Sequence, residues 1–127
     1  MHKILLVEDE PNIMLLLKRT ISSFTGDDVI IFTAENGRIG LDIIKKERPE
    51  LVFLDVMMPV MNGYELCSII KKDLEMKDVK IVLLTAKGQK ADEIKGMEAG
   101  ADSYMTKPFK PDDIRKKISE ICKITFE

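Results

Sequence analysis

Five short apolar runs alternate with five longer segments of helical spacing, and nothing else in this 127-residue chain restricts its fold so tightly. Residues 3–7, 29–33, 51–54, 80–84 and 103–106 read as strands. Unbroken rather than alternating apolar character marks strands covered on both faces, as in a parallel sheet. Residues 11–24 place Ile13, Leu17, Thr20 and Phe24 on one helical stripe and begin with proline, favoured in a first turn. Residues 37–46 carry Gly40, Leu41 and Ile44 and stop short of Pro49, and residues 63–72 carry Leu66, Cys67 and Ile70. Residues 90–99 carry Ile94 and Met97 and close at Gly100, where a left-handed cap fits. Residues 111–123 carry Ile114, Ile118, Ile121 and Cys122. Strands alternating with helices through short connections imply right-handed βαβ units. The reading is one α/β domain over residues 1–127, a parallel sheet with helices on both faces. Met14, Met97 and Met105 are expected in the core, and Met57, Met58 and Met61 on the loop after Asp55.

Charge and composition exclude several classes. Twenty basic residues against twenty-two acidic ones leave a net charge of −2, which argues against a dedicated nucleic-acid surface. No apolar run approaches a membrane span, and Glu8, Asp9 and Glu10 interrupt the first one where a signal peptide would continue. Cys67 and Cys122 match no paired metal spacing and read as reduced thiols of a cytoplasmic protein. His2 is the single histidine, so histidine triads and histidine metal clusters are not expected.

In an open parallel sheet, ligands bind beyond the carboxyl ends of the strands. There the first run leads into Glu8-Asp9-Glu10, the third into Asp55, the fourth into Thr85 and the fifth into Lys107-Pro108. Among Glu8, Asp9, Asp55 and Lys107, three carboxylates face one ammonium, an excess that like-charge repulsion makes unfavourable without a cation. Oxygen donors of this kind suit Mg²⁺ or Mn²⁺ better than zinc, with phosphate oxygens completing the shell. Asp55 is then the candidate nucleophile, able to form an aspartyl phosphate. Lys107 and Thr85 are placed to meet phosphoryl oxygens, and the backbone carbonyl of Met57 to complete the metal shell. Each residue alone has a plainer role: Asp9 and Glu10 as helix caps, Asp55 as a turn residue, Lys107 as a solvated charge. It is their convergence on one edge that points to chemistry.

Lys3-Ile-Leu-Leu-Val-Glu8-Asp9-Glu10, Leu54-Asp55-Val-Met-Met-Pro59 with Gly63, Leu84-Thr85-Ala86 and Tyr104-Met-Thr-Lys107-Pro108-Phe109 together resemble the receiver domain of bacterial two-component response regulators, in order and spacing over nearly the whole chain. The resemblance implies a flavodoxin-like (βα)₅ fold of strand order 2-1-3-4-5. It also implies phosphotransfer from a sensor histidine kinase or phosphotransfer protein onto Asp55. On it Asp9 and Asp55 are metal ligands, Glu8 acts through water, Thr85 and Lys107 contact the phosphoryl group, and Tyr104 is the aromatic switch. A cis Lys107-Pro108 bond is implied as well. Partners would read the face formed by the last two helices and last strand, from an effector still to be identified.

Two rival functions lack a needed residue. A haloacid-dehalogenase phosphatase wants a carboxylate two residues past its nucleophile, where this chain has Met57. A flavodoxin wants a Ser/Thr/Gly-rich phosphate loop after its first strand, where three acids stand. A receiver-like module that is no longer phosphorylated finds no support, since nothing is missing from the constellation. In the family, Met57 and Lys87 occupy the positions that tune phosphoryl lifetime, and slow self-dephosphorylation is expected. Acids at Glu93 and Asp113, with Ser103 and Ile124 in place of a charged pair, oppose the cross-subunit salt bridges of winged-helix relatives. A monomer, or a different dimer, is therefore expected.

Overall fold

The computed structural model describes residues 2–25, 28–58, 60–86 and 90–122. Five parallel strands, β1 (His2–Val7), β2 (Val29–Ala34), β3 (Leu51–Asp55), β4 (Lys80–Ala86) and β5 (Ser103–Lys107), pair in the order β2-β1-β3-β4-β5. The helices are α1 (Pro11–Thr25), α2 (Gly37–Glu47), α3 (Gly63–Ser68), α4 (Lys90–Glu98) and α5 (Pro111–Cys122). This is the expected flavodoxin-like order. β3, β4 and β5 run one or two residues beyond their apolar runs, because the ladder continues into the polar residues at the carboxyl edge. Asp55 and Lys107 thus end β3 and β5, and Thr85 is next to last in β4.

Alternation of side chains divides the interior into two layers. Ile4, Leu6, Leu51, Phe53, Val82, Leu84 and Met105 meet Leu17 and Ile21 of α1 and Ile114 and Ile118 of α5. Leu5, Val7, Val52, Leu54, Ile81 and Leu83 meet Ile44 of α2 and Leu66 and Cys67 of α3. Both faces of β1, β3 and β4 are therefore covered, as their unbroken apolar runs require. Ile21, which the α1 stripe left out, is fully buried. No helix among the described residues is long and apolar enough to cross a membrane.

Three expectations need correction. Ile94 and Met97 do not face the sheet: they are 60% and 55% exposed, and Gly96 and Ala99 lie inward instead. A Cβ at Gly96 would fall 2.4 Å from Leu83 Cδ1, so small residues let α4 approach the sheet while its larger side chains remain outside. The segment 63–72 is not one regular helix, because after Ser68 it widens into a π-helical turn, Ile69–Asp73. In that turn Ile70 is buried and Lys71 reaches Asp102 at 2.7 Å, while Asp102 also accepts from the Ile81 N–H. β2 and β5, expected as strands covered on both faces, are the edges of the sheet, where only Ala34 and Met105 are buried; on the loop after β3, Met57 is 75% exposed and Met58 is buried. Two caps are left-handed: Gly100 (φ 98°), as expected, and Arg48 (φ 46°) after α2. Lys87, Pro59, Ile124 and the end of the last helix at Lys123 lie outside the described residues, as do the side chains of Phe24, Ala86, Glu93 and Cys122.

Candidate functional site

Strand parity assembles the site. Along β1, Ile4 and Leu6 face the α1 and α5 layer, so Glu8 continues on that side. Leu51 and Phe53 put Asp55 on the same side of β3, and Met105 puts Lys107 there on β5. The Glu8 N–H donates to the Ala34 carbonyl at 3.1 Å, which extends the ladder one residue past β1. Three residues far apart in the chain thereby share one corner of the carboxyl edge. Lys107 Nζ lies 3.0 Å from Glu8 Oε1 and 3.2 Å from Asp55 Oδ1, partners 99 and 52 positions away.

Oxygen atoms of Glu8, Asp9 and Asp55 lie within 4.8 Å of one another. Glu8 and Asp55 are 1% and 4% exposed, and Asp9 stands on the solvent side. Two buried carboxylates and a third beside them, facing a single ammonium, form a donor set suited to a hard divalent cation. Burial pushes the Glu8 carboxyl up to about 7, against the hydrogen bond from Lys107 and that from the Glu10 N–H, with the Asp55 charge adding to the rise. Burial alone would lower the Lys107 ammonium, but the Glu8 hydrogen bond and the two carboxylate charges outweigh it and hold it above its ordinary value.

Glu8 has a thermodynamic consequence. Its folded carboxyl binds a proton more tightly than the unfolded one, whose value is 4.5. The linked stability is fully present below about 4.5 and is lost as pH rises through about 7. Urea unfolding of the metal-free chain is expected to show stability falling across that window by on the order of 3 kcal/mol. Glu8→Gln should flatten the slope, and an unchanged slope in that variant would refute the assignment.

The loop after β3 is held close to the site. Gly63 donates to the Val56 carbonyl at 3.0 Å, and a Cβ there would sit 2.6 Å from the Asp55 carbonyl oxygen. Only glycine permits α3 to start so near the strand end. Asn62 and Glu65 close a capping box at its first turn.

Thr85 has the opposite parity. It is 2% exposed and its hydroxyl donates to the Met105 carbonyl at 3.5 Å, while Tyr104 pairs in register with Leu83 and is 39% exposed. These two therefore stand toward the α4 side, separate from the Glu8–Asp55–Lys107 group. The Lys107–Pro108 bond is cis. Of the residues tied to pairing between chains, Asp113 accepts from the Lys110 N–H at 2.9 Å and Ser103 Oγ from Lys117 Nζ at 2.7 Å. Cys67 is buried beside the Ala99 carbonyl, and burial pushes its thiol up to about 12.

Comparison with known proteins places this edge in context. Residues 4–119 match the family model described as response regulator receiver domain. The chain is 43% identical over 122 residues to "Probable transcriptional regulator ycf27" of Porphyra purpurea, covering 96% of this chain and 48% of that one. It is 40% identical over 121 residues to the alkaline phosphatase synthesis transcriptional regulatory protein PhoP of Bacillus subtilis, covering 95% and 48%. The chain thus spans about half the length of these curated relatives. The crystal structure of chemotaxis protein CheY4 of Vibrio cholerae superposes with a TM-score of 0.84 at 28% identity, covering 95% of this chain and 98% of that one.

Proposed function

The chain belongs to the response regulator receiver domain family, and from that premise we propose that it is a phosphorylation-activated switch. Asp55 accepts a phosphoryl group from the phosphohistidine of a sensor histidine kinase or phosphotransfer protein. One observation carries this reading: a buried Asp55 carboxylate lies 3.2 Å from the Lys107 ammonium, inside a cluster of acidic oxygens within 4.8 Å of one another.

An Asp55 oxygen forms the new O–P bond as the P–N bond to the donor imidazole breaks. The electron pair stays on that nitrogen, which takes up a proton. Lys107 meets the charge on the transferred group as a preorganised point charge. Asp9 and Asp55 would hold a Mg²⁺ or Mn²⁺ ion directly, with Glu8 through water and the Met57 carbonyl. Such an ion supplies neutralisation of the phosphoryl oxygens.

The Thr85 hydroxyl then turns from the Met105 carbonyl toward the phosphoryl group, and Tyr104 moves from half-exposed into the space beside it. This shifts a two-state equilibrium of α4, β5 and α5. Output passes through that face to a protein partner or an effector domain, with no direct nucleic-acid or membrane contact, in the cytoplasm. Met57 offers an attacking water no hydrogen bond, which together with Lys87 favours slow self-dephosphorylation. Residues 1–127 act as one receiver and a monomer is favoured, since Ser103 is engaged within its own chain.

The test is mass spectrometry after treatment with acetyl phosphate, with and without Mg²⁺. One hydroxylamine-sensitive phosphoryl adduct on Asp55 that requires Mg²⁺ is expected. An adduct on another residue, or none, would overturn the proposal.

A further inference from the structure

Met57, whose carbonyl is assigned to the metal shell, lies on backbone pinned from both sides. Before it, the Val56 N–H donates to the Leu84 carbonyl at 3.3 Å, and the Val56 carbonyl accepts from the Gly63 N–H at 3.0 Å. After it, Met58 is buried and Met61 packs half-buried against the same interior layer. Between these anchors Val60 holds a φ of 72°. A β-branched side chain is strained in that left-handed region. The Val60 side chain is 79% exposed, so little packing of its own offsets the strain. Its neighbours impose it.

One of the anchors rests on a different element. α2 opens at Gly37, directly after Asn36, whose side chain accepts from the Ile39 N–H at 2.9 Å. A Cβ on Gly37 would lie 2.5 Å from the Met61 carbonyl oxygen and 2.9 Å from Met61 Cβ. The carbonyl is backbone and cannot swing aside as a side-chain end would. α2 in turn follows β2, whose last residue, Ala34, accepts from the Glu8 N–H, so the ladder that brings Glu8 to the site also sets where the helix begins. Gly40, three residues on, meets Val7 of the sheet instead, at 3.0 Å from a built Cβ. Two glycines of one helix thus serve different neighbours.

We propose, on the metal reading of Asp9, Asp55 and the Met57 carbonyl, that Gly37 is a positioning residue for that site. Lacking a side chain, it lets Met61 seat against α2. That seat and the Gly63 contact hold Val60 in its strained conformation and keep the backbone carrying the Met57 carbonyl in one arrangement.

The test is Mn²⁺ binding to the unphosphorylated chain, followed by the electron paramagnetic resonance of the free ion, with urea midpoints of the metal-free samples. Gly37→Ala is expected to bind Mn²⁺ about 10- to 100-fold more weakly while still folded, as when a group supporting a metal ligand is lost. Gly40→Ala, which crowds Val7, should lower the urea midpoint and leave Mn²⁺ affinity unchanged. Val60→Gly should raise the midpoint, because glycine takes a positive φ without steric cost, and added to Gly37→Ala it should recover most of the lost affinity. Native affinity in Gly37→Ala, an equal loss in Gly40→Ala, or no recovery in the double variant would overturn the role of Gly37. If Gly37→Ala does not fold, Val60→Gly alone decides: a raised midpoint with native Mn²⁺ affinity supports the clamp, and a lowered midpoint overturns it. A native chain that binds no Mn²⁺, or binds it no more weakly after Asp9→Ala, would overturn the metal reading itself and the role of Gly37 with it.

Discussion

A chain carrying Lys107→Ala is expected to lose phosphorylation rate and stability together, and to lose more stability at high pH than at low. The ammonium stands 3.0 Å from Glu8 and 3.2 Å from Asp55, and its own side chain is 22% exposed while theirs are 0% and 5%. Removing one partner of a buried ion pair usually costs about 3–5 kcal/mol, because a charge is left without compensation. Here the cost should fall below ~3 kcal/mol under mildly acidic conditions. Glu8, already pushed up to about 7, can take a proton instead of remaining charged. Above that pH Glu8 stays charged and the penalty grows. Phosphoryl uptake from acetyl phosphate should slow by about 10²–10³-fold, as when one preorganised electrostatic donor is lost from an active site. Urea melts on either side of pH 7 and adduct time courses measure the two effects. A variant with native rate and a pH-independent stability loss would show that Lys107 is a structural ion-pair partner only.

Asp55→Asn separates nucleophile from scaffold. The amide nearly preserves shape but has no anionic oxygen to form the acyl phosphate, so no phosphoryl adduct is expected at any Mg²⁺ concentration. Folding should survive. The substitution removes one of the clustered negative charges and leaves the Glu8–Lys107 pair in place. The metal-free variant is therefore expected to unfold at a urea concentration no lower than the native chain. Incorporation at native stoichiometry would refute Asp55 as acceptor, and loss of uptake accompanied by unfolding would leave its role to be judged from the mapped adduct on the native chain.

Much of the site can be read in the residue order because parallel sheets present their carboxyl ends on one edge. Asp55 and Thr85 follow runs whose apolar character already marks them as buried strands, whereas Lys107 ends the half-exposed edge strand β5. Glu8 is the instructive exception. The family resemblance implies for it only a contact with a metal through water, yet it is the most buried polar residue of the site and the nearer partner of Lys107. The signal was present in the parity: Ile4, Leu6 and Glu8 alternate in step, as do Leu51, Phe53 and Asp55. Reading it required knowing that β1 and β3 are neighbours. Ile94 and Met97 mislead for a related reason, since a helical stripe of large apolar residues shows a face but not whether anything covers it. Among the described side chains of this segment, Gly96 of α4 and Ala99 just past it lie inward instead, and their low hydrophobicity hides them from a periodicity argument.

The π-helical turn at Ile69–Asp73 and the Lys71–Asp102 pair leave no local mark, because helix propensity alone favours a regular α-helix there. From its own string of side chains, this protein settles the succession of strands and helices, the layered architecture and the acids available for phosphoryl chemistry. Those properties depend on neighbours a few positions apart, where steric and burial preferences act. Three-dimensional packing alone settles which acid the lysine grips, which carboxyl is driven toward its neutral form and which helix shows apolar side chains to solvent. Those outcomes depend on desolvation and Coulomb forces between residues as many as 99 positions apart.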